Sequence, residues 1–236
     1  MARHPRLIGD ELVYHAINCG NNRADVFTAG DDHRAFLEAI EKTRGKYPFR
    51  LFGYCLMNNH FHLLLRPDSG QSISRILQSL TVTHTWRHHK RHRSSGHVWQ
   101  GRFRSPSIEG GAHLLGVLRY IEANPLRAGM VADPGGYPWS SYRRHGLGQP
   151  DPLLDSLPEW DELGRTESER CSRWRRFVVA ARAGRDLEPI RASLRSGRPY
   201  GSDSWVKATA DRLGVSLVPR PRGRPRKPPI SARKMN

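Results

Sequence analysis

His60 and His62 stand two positions apart in Leu56-Met57-Asn58-Asn59-His60-Phe61-His62-Leu63-Leu64-Leu65, and Tyr120 and Asn124 stand four apart in Arg119-Tyr120-Ile121-Glu122-Ala123-Asn124-Pro125. From Phe61 on, the first stretch reads as a strand entered through an Asn-Asn corner. His60, His62 and Leu64 then share one face, and Phe61, Leu63 and Leu65 share the other. Cα atoms two apart on a strand are roughly 6–7 Å apart, so both imidazoles can turn onto one metal ion. On a helix Tyr120 and Asn124 lie one turn above each other. In a basic surround these residue types suggest phosphodiester chemistry. A divalent cation held by His60, His62 and Asn124 would polarise a phosphate oxygen, and Tyr120 would attack phosphorus, leaving a phosphotyrosine and a free 3′-hydroxyl. A phenol of pKa about 10 needs the metal or a nearby base for this.

Each residue also has a plainer reading. Two His at this spacing can decorate a half-wet sheet face. A helix tyrosine is often half-buried packing, and an Asn before proline often only caps a helix end.

The elements that must position these groups can be read from the chain in order. Leu12 to Cys19 reads as a first strand, closed by Gly20-Asn21-Asn22. Asp31 or Asp32 can cap a helix carrying Phe36, Leu37 and Ile40. Phe49 to Met57 is a second strand, turned back at Asn58-Asn59 into the His strand. Ser72 opens a long helix with Ile73, Ile76, Leu77, Leu80 and Trp86 expected on its inner side. Trp99 to Ile108 is a fourth strand. This order predicts an α+β fold with a ferredoxin-like split β-α-β antiparallel sheet, two helices on one face and the other face open to a ligand. Leu114, Leu115, Leu118 and Ile121 make the burying stripe of the helix that carries Tyr120.

Net charge is +17 and the sequence pI is about 10.8, which makes nucleic acid the default partner. No apolar run approaches membrane-spanning length, no basic amphipathic helix has a bulky apolar face, and the N-terminus lacks a signal-peptide core. Cys19, Cys55 and Cys171 are scattered free thiols of a reducing compartment. A cytoplasmic, nucleoid-associated protein without membrane contact is expected.

DNA contacts are expected at the basic helix end, Arg87, Lys90, Arg91 and Arg93, although cations also suit a solvated helix C-terminus. Trp99 and Phe103, beside Arg102 and Arg104, could stack on unpaired bases or pack as core. Beyond residue 146 the composition shifts towards Pro, Gly and charge. The expected division is a catalytic domain over 1–146, a helical extension over 147–190 and a basic DNA-binding tail over 191–236. The chain from 190 onwards holds twelve Lys and Arg against Asp203 and Asp211. Arg222-Gly223-Arg224-Pro225-Arg226-Lys227 looks like an AT-hook for the narrow minor groove of A/T-rich duplex; the alternative is an unspecific basic tail, disordered in either case.

Taken together, the Gly20-Asn21-Asn22-Arg23 turn, the stretches Tyr54 to Leu64, Gly96 to Phe103 and Arg119 to Gly129, and Tyr137-Pro138-Trp139-Ser140-Ser141-Tyr142 resemble the HUH single-tyrosine transposases of the insertion-sequence type, and most closely their REP-associated branch. Asn58 departs from the family's usual proline and affects only the corner. The resemblance implies His60 and His62 as ligands of Mg²⁺ or Mn²⁺, Asn124 as third ligand and Tyr120 as nucleophile. It also implies single-stranded DNA hairpins from imperfect, REP-like palindromes as substrates, cleaved and rejoined by a monomer through a 5′-phosphotyrosine. Two alternatives stand beside it. One is a catalytically silent DNA-binding regulator on the same fold. The other is a metal-dependent nuclease that uses water and tolerates loss of Tyr120.

Overall fold

Four strands form one antiparallel sheet in the computed structural model, which describes residues 11–180, 187–214 and 217. They are β1 (Val13–Cys19), β2 (Phe49–Met57), β3 (His60–Pro67) and β4 (Ser107–Ile108), in the order β2-β3-β1-β4. With α1 (Gly30–Lys46) between β1 and β2, and α2 (Ile73–His92) after β3, this is the ferredoxin-like arrangement expected from the sequence. The register sets Ile17 opposite His62 and Cys19 opposite His60.

One sheet face carries Tyr14, Ala16, Leu51, Phe61, Leu63 and Leu65, and buries them against α1 and α2. Helix α1 starts where Asp32 accepts hydrogen bonds from the backbone N–H of Thr28 and Ala29 and from the Thr28 hydroxyl, at 2.9–3.1 Å. The side chain thus satisfies donors that a helix start leaves unpaired. Along α2 the buried positions are Ile73, Ile76, Leu77, Leu80 and His84. Trp86, expected inside, is 63% exposed. Eleven residues from Ile73 to His84 make about three whole turns, whereas thirteen to Trp86 end on the opposite side.

The other sheet face is not open. Leu64, Phe52, Cys55 and Met57 pack against α3 (Ala112–Glu122), whose Leu114, Leu118 and Ile121 form the expected stripe. A stripe of that width has to be buried, and this sheet face is what buries it. Gly53 makes the approach possible: a Cβ there would lie 2.3 Å from Leu118 Cδ1. The fourth strand is also shorter than expected. Only Ser107–Ile108 pair as a strand, and Arg104 and Trp99 add single bridges to Ile17 and Gly20. Gly101 with φ +67° breaks the run between those bridges.

After α4 (Asn124–Arg127) and α5 (Tyr142–Leu147), the chain continues through α6 (Pro158–Asp161), α7 (Glu167–Ala180), α8 (Glu188–Ser196) and α9 (Asp203–Arg212). Trp160, Cys171, Trp174, Val178, Ile190 and Leu194 join the same core cluster as α3. The extension therefore shares a core with the sheet domain. At its centre Glu122, fully buried, accepts hydrogen bonds from Ser141 Oγ (2.5 Å), His145 Nδ1 (2.6 Å) and Trp174 Nε1 (2.7 Å). Ser202 caps α9, its hydroxyl accepting from Trp205 N–H. Among the described residues no helix is long and apolar enough to cross a membrane, and the three cysteines are free.

Candidate active site

His60 and His62 share the sheet face that meets α3, with ring centroids 5.0 Å apart and planes nearly perpendicular. His62 is 1% exposed and His60 half-buried, so a half-wet face describes neither pair nor setting. The Tyr120 ring stands edge-on to His62 with centroids 5.7 Å apart. The structure thus brings together residues fifty-eight positions apart in the sequence. Asn124 follows one turn later, at the start of α4, where α3 is interrupted at Ala123 ahead of Pro125.

Hydrogen bonds fix which atoms face outward. Asn59 Nδ2 donates to Arg23 O, so its Oδ1 faces His60 Nδ1 at 2.7 Å. A carbonyl oxygen only accepts, so His60 Nδ1 carries the proton and Nε2 presents its lone pair. Asn124 Nδ2 donates to Tyr120 O (3.0 Å) and Ile121 O (3.3 Å), which leaves Oδ1 as the acceptor of that amide. His62 Nδ1 is 2.9 Å from His15 Nε2.

Burial sets the charge state. It pushes His60 down to about 4 and His15 to about 3. It holds His62 well below the usual histidine range, with the neighbouring His15, His60 and Arg127 adding to the effect. All three rings are neutral near pH 7, the form in which imidazole binds a metal. Arg127 stacks over the Tyr120 ring, Cζ to centroid 4.6 Å, and donates through Nη2 to Tyr120 O at 2.6 Å. Burial lowers Arg127 to about 10, and the neighbouring Tyr120 partly opposes that fall.

Two imidazole nitrogens and one amide oxygen fit a divalent ion that completes its shell with water or phosphate oxygen. Among the described residues no three His, Cys, Asp or Glu gather into a metal-holding group. The amide oxygen of Asn124 is the further donor that the sequence suggests.

The expected DNA-binding residues separate into several settings. Arg87 donates to Ala35 O and pairs with Glu38, and Arg91 pairs with Asp31 and Asp32, so both are committed to α1. Lys90 is exposed and lies 5.2 Å from the ring centroid of the exposed Trp86; Arg93 is exposed in a left-handed C-cap. Trp99 is 9% exposed among Phe27, Phe36 and Phe61, and its Nε1 donates to Thr81 O. Of its two readings, core packing is the one that the surroundings match. Phe103 is half-buried and packs on the same cluster, while Arg102 and Arg104 are exposed. Arg222, Arg224, Arg226 and Lys227 lie outside the described residues.

Sequence reasoning missed two residues at this site. His15 lies on β1, and only the strand register brings it to His62. Arg127 follows Tyr120 by seven, two turns on, a spacing that the Asn124-Pro125 break concealed.

Comparison with known proteins finds similarity to transposases. Residues 10–124 match the family model for IS200-like transposases. A curated protein of Haemophilus influenzae described as a REP-associated tyrosine transposase is 28% identical over 120 residues, 46% of this chain and 68% of that one. A solved structure of a REP-associated tyrosine transposase bound to a REP hairpin superposes with a TM-score of 0.54 at 20% identity, covering 67% of this chain and 93% of that one. Over residues 10–124 the chain is thus similar to the IS200-like transposases, and the proteins it resembles include a REP-associated tyrosine transposase.

Proposed function

We propose that this protein cuts and rejoins single-stranded DNA at imperfect palindromic hairpins through a covalent bond between Tyr120 and a 5′ phosphate. The observation that carries this reading is the Tyr120 ring standing edge-on against His62, 5.7 Å between centroids, on the face that also bears His60. His60, His62 and Asn124 would hold a divalent ion, Mg²⁺ or Mn²⁺, which when bound offsets charge on the scissile phosphate. Tyr120 Oη forms the new P–O bond and loses its proton; the P–O3′ bond breaks and the departing 3′-oxygen takes up a proton. The phosphotyrosine keeps the energy of the broken phosphodiester, so a second 3′-hydroxyl can reclaim the phosphorus and release Tyr120. Arg127 positions the ring by stacking on it and by gripping the backbone carbonyl of the same residue. The basic tail would tether DNA, as an AT-hook on A/T-rich duplex or by counterion release alone. The protein would act as a monomer.

The test uses hairpin oligonucleotides from the flanks of its own gene, labelled at either end, with Mg²⁺ or Mn²⁺, on a denaturing gel. Label 3′ of the cut should migrate with the protein, and label 5′ of it should end in a free 3′-hydroxyl. Tyr120→Phe should abolish the adduct. Binding without any cleavage would favour the silent regulator. Cleavage by Tyr120→Phe would favour the water-using nuclease.

A further inference from the structure

We infer that His15 is a positioning residue for His62: it fixes the orientation of that ring and accepts a hydrogen bond from its Nδ1–H, which leaves the far nitrogen free for a cation. The inference rests on the metal-binding reading of the His60/His62 pair. His15 lies on β1 one diagonal step from His62, because Ile17 is directly opposite. It is completely buried. Its Nε2 is 2.9 Å from His62 Nδ1, with ring centroids 5.0 Å apart and planes tilted by 37°. Its ring also meets the edge of Tyr120 at 5.8 Å. His15 thus touches both the proposed ligand and the proposed nucleophile.

A buried imidazole that presents Nε2 to a cation must carry its proton on Nδ1, and that N–H needs an acceptor. His15 Nε2 is placed to be that acceptor. The other nitrogen, His15 Nδ1, is buried without a hydrogen-bond partner. A phenyl ring would fill this position and pack on Tyr120 with no orphaned nitrogen. What the imidazole adds over a phenyl ring is the bond to His62, and this bond accounts for a buried polar group that packing alone does not require.

The test compares wild type with H15F, H15N, H15Q and H62A. Mn²⁺ affinity is read from the spectrum of the free ion, and the His62 tautomer from imidazole ¹⁵N shifts with Mg²⁺. H15F keeps the ring and removes the bond. H15Q reaches as far as imidazole Nε2, whereas H15N carries the same amide but stops short. H15F and H15N should bind Mn²⁺ about 10- to 100-fold more weakly, with a mixed His62 tautomer, and H15Q should recover most of the affinity. If H15F does not fold, the contrast between H15N and H15Q decides. Affinities of H15F and H15N within about twofold of wild type, with H62A defective, would overturn the role of His15. Wild-type affinity in H62A would instead overturn the metal-binding reading, and this inference with it.

Discussion

At the scale of single residues, the site depends on neutral imidazoles beside a phenol held in place by a cation. Arg127 holds the Tyr120 ring by stacking at 4.6 Å and a 2.6 Å bond to its carbonyl. Lysine cannot reproduce a planar guanidinium that stacks and donates together. Arg127→Lys should therefore slow adduct formation in single-turnover assays by about tenfold, as expected for loss of a desolvated cation–π contact, with the fold retained. His84 is a different case, a structural histidine among Phe27, Phe36 and Trp99 at 5.1–5.3 Å. Burial pushes it down to about 3, as it does His15. Both are neutral in the fold and gain a proton on unfolding below about pH 6.5. Their contribution to stability is complete above that value and is lost as pH falls towards about 3, at up to about 1.4 kcal/mol per pH unit for each group. Urea unfolding at about pH 7 and about pH 5 should show the loss, and His84→Phe should make it shallower.

At the scale of elements, the strand and helix that carry the site are held by two devices of opposite kind. Gly53 gives α3 a close approach to β2, since a Cβ there would meet Leu118 at 2.3 Å. Gly53→Ala should cost about 1–3 kcal/mol in unfolding experiments, and should reduce adduct formation by displacing Tyr120 from His62. Glu122, two residues beyond Tyr120, ties α3 to α5 and to Trp174 of α7. Glu122→Ala would orphan three buried donors and should cost about 3 kcal/mol or more; Glu122→Gln, which still offers one acceptor oxygen, should cost less. The elements are largely legible in the sequence, because the apolar and aromatic run of β3 and the Leu114/Leu118/Ile121 stripe in α3 are local signals. What covers the second sheet face is not. Nothing local in Trp174 or Glu122 announces that they meet across fifty-two residues. His60, His62 and Tyr120 are legible through spacing and resemblance, whereas His15 needs a register that only pairing defines. Trp86 is misplaced when an aromatic is assigned to the core against the helical period, and His84 occupies the position instead.

For the whole molecule, the decisive property is where the excess charge is free to act. Arg87 and Arg91 are paired with acids on α1, so the basic end of α2 offers polyanions less than its composition suggests. Residues 219–236 hold seven Lys and Arg and no acid. Removing them should weaken binding to long strands or duplex and flatten its salt dependence, by about 0.7 in log–log slope for every single-strand phosphate that the tail neutralises. Cleavage of short oligonucleotides should be largely kept, since Tyr120, His60 and His62 lie outside that segment. The proposed chemistry requires Tyr120 itself to become bonded to DNA. Its most direct measurement is mass spectrometry of peptides from the protein after reaction with a cleavable hairpin, Mg²⁺ or Mn²⁺ being present. A nucleotide phosphate is expected on the peptide containing Tyr120, and none on any other tyrosine. A cleaved hairpin with an unmodified Tyr120 peptide, or with the phosphate on another residue, would contradict it.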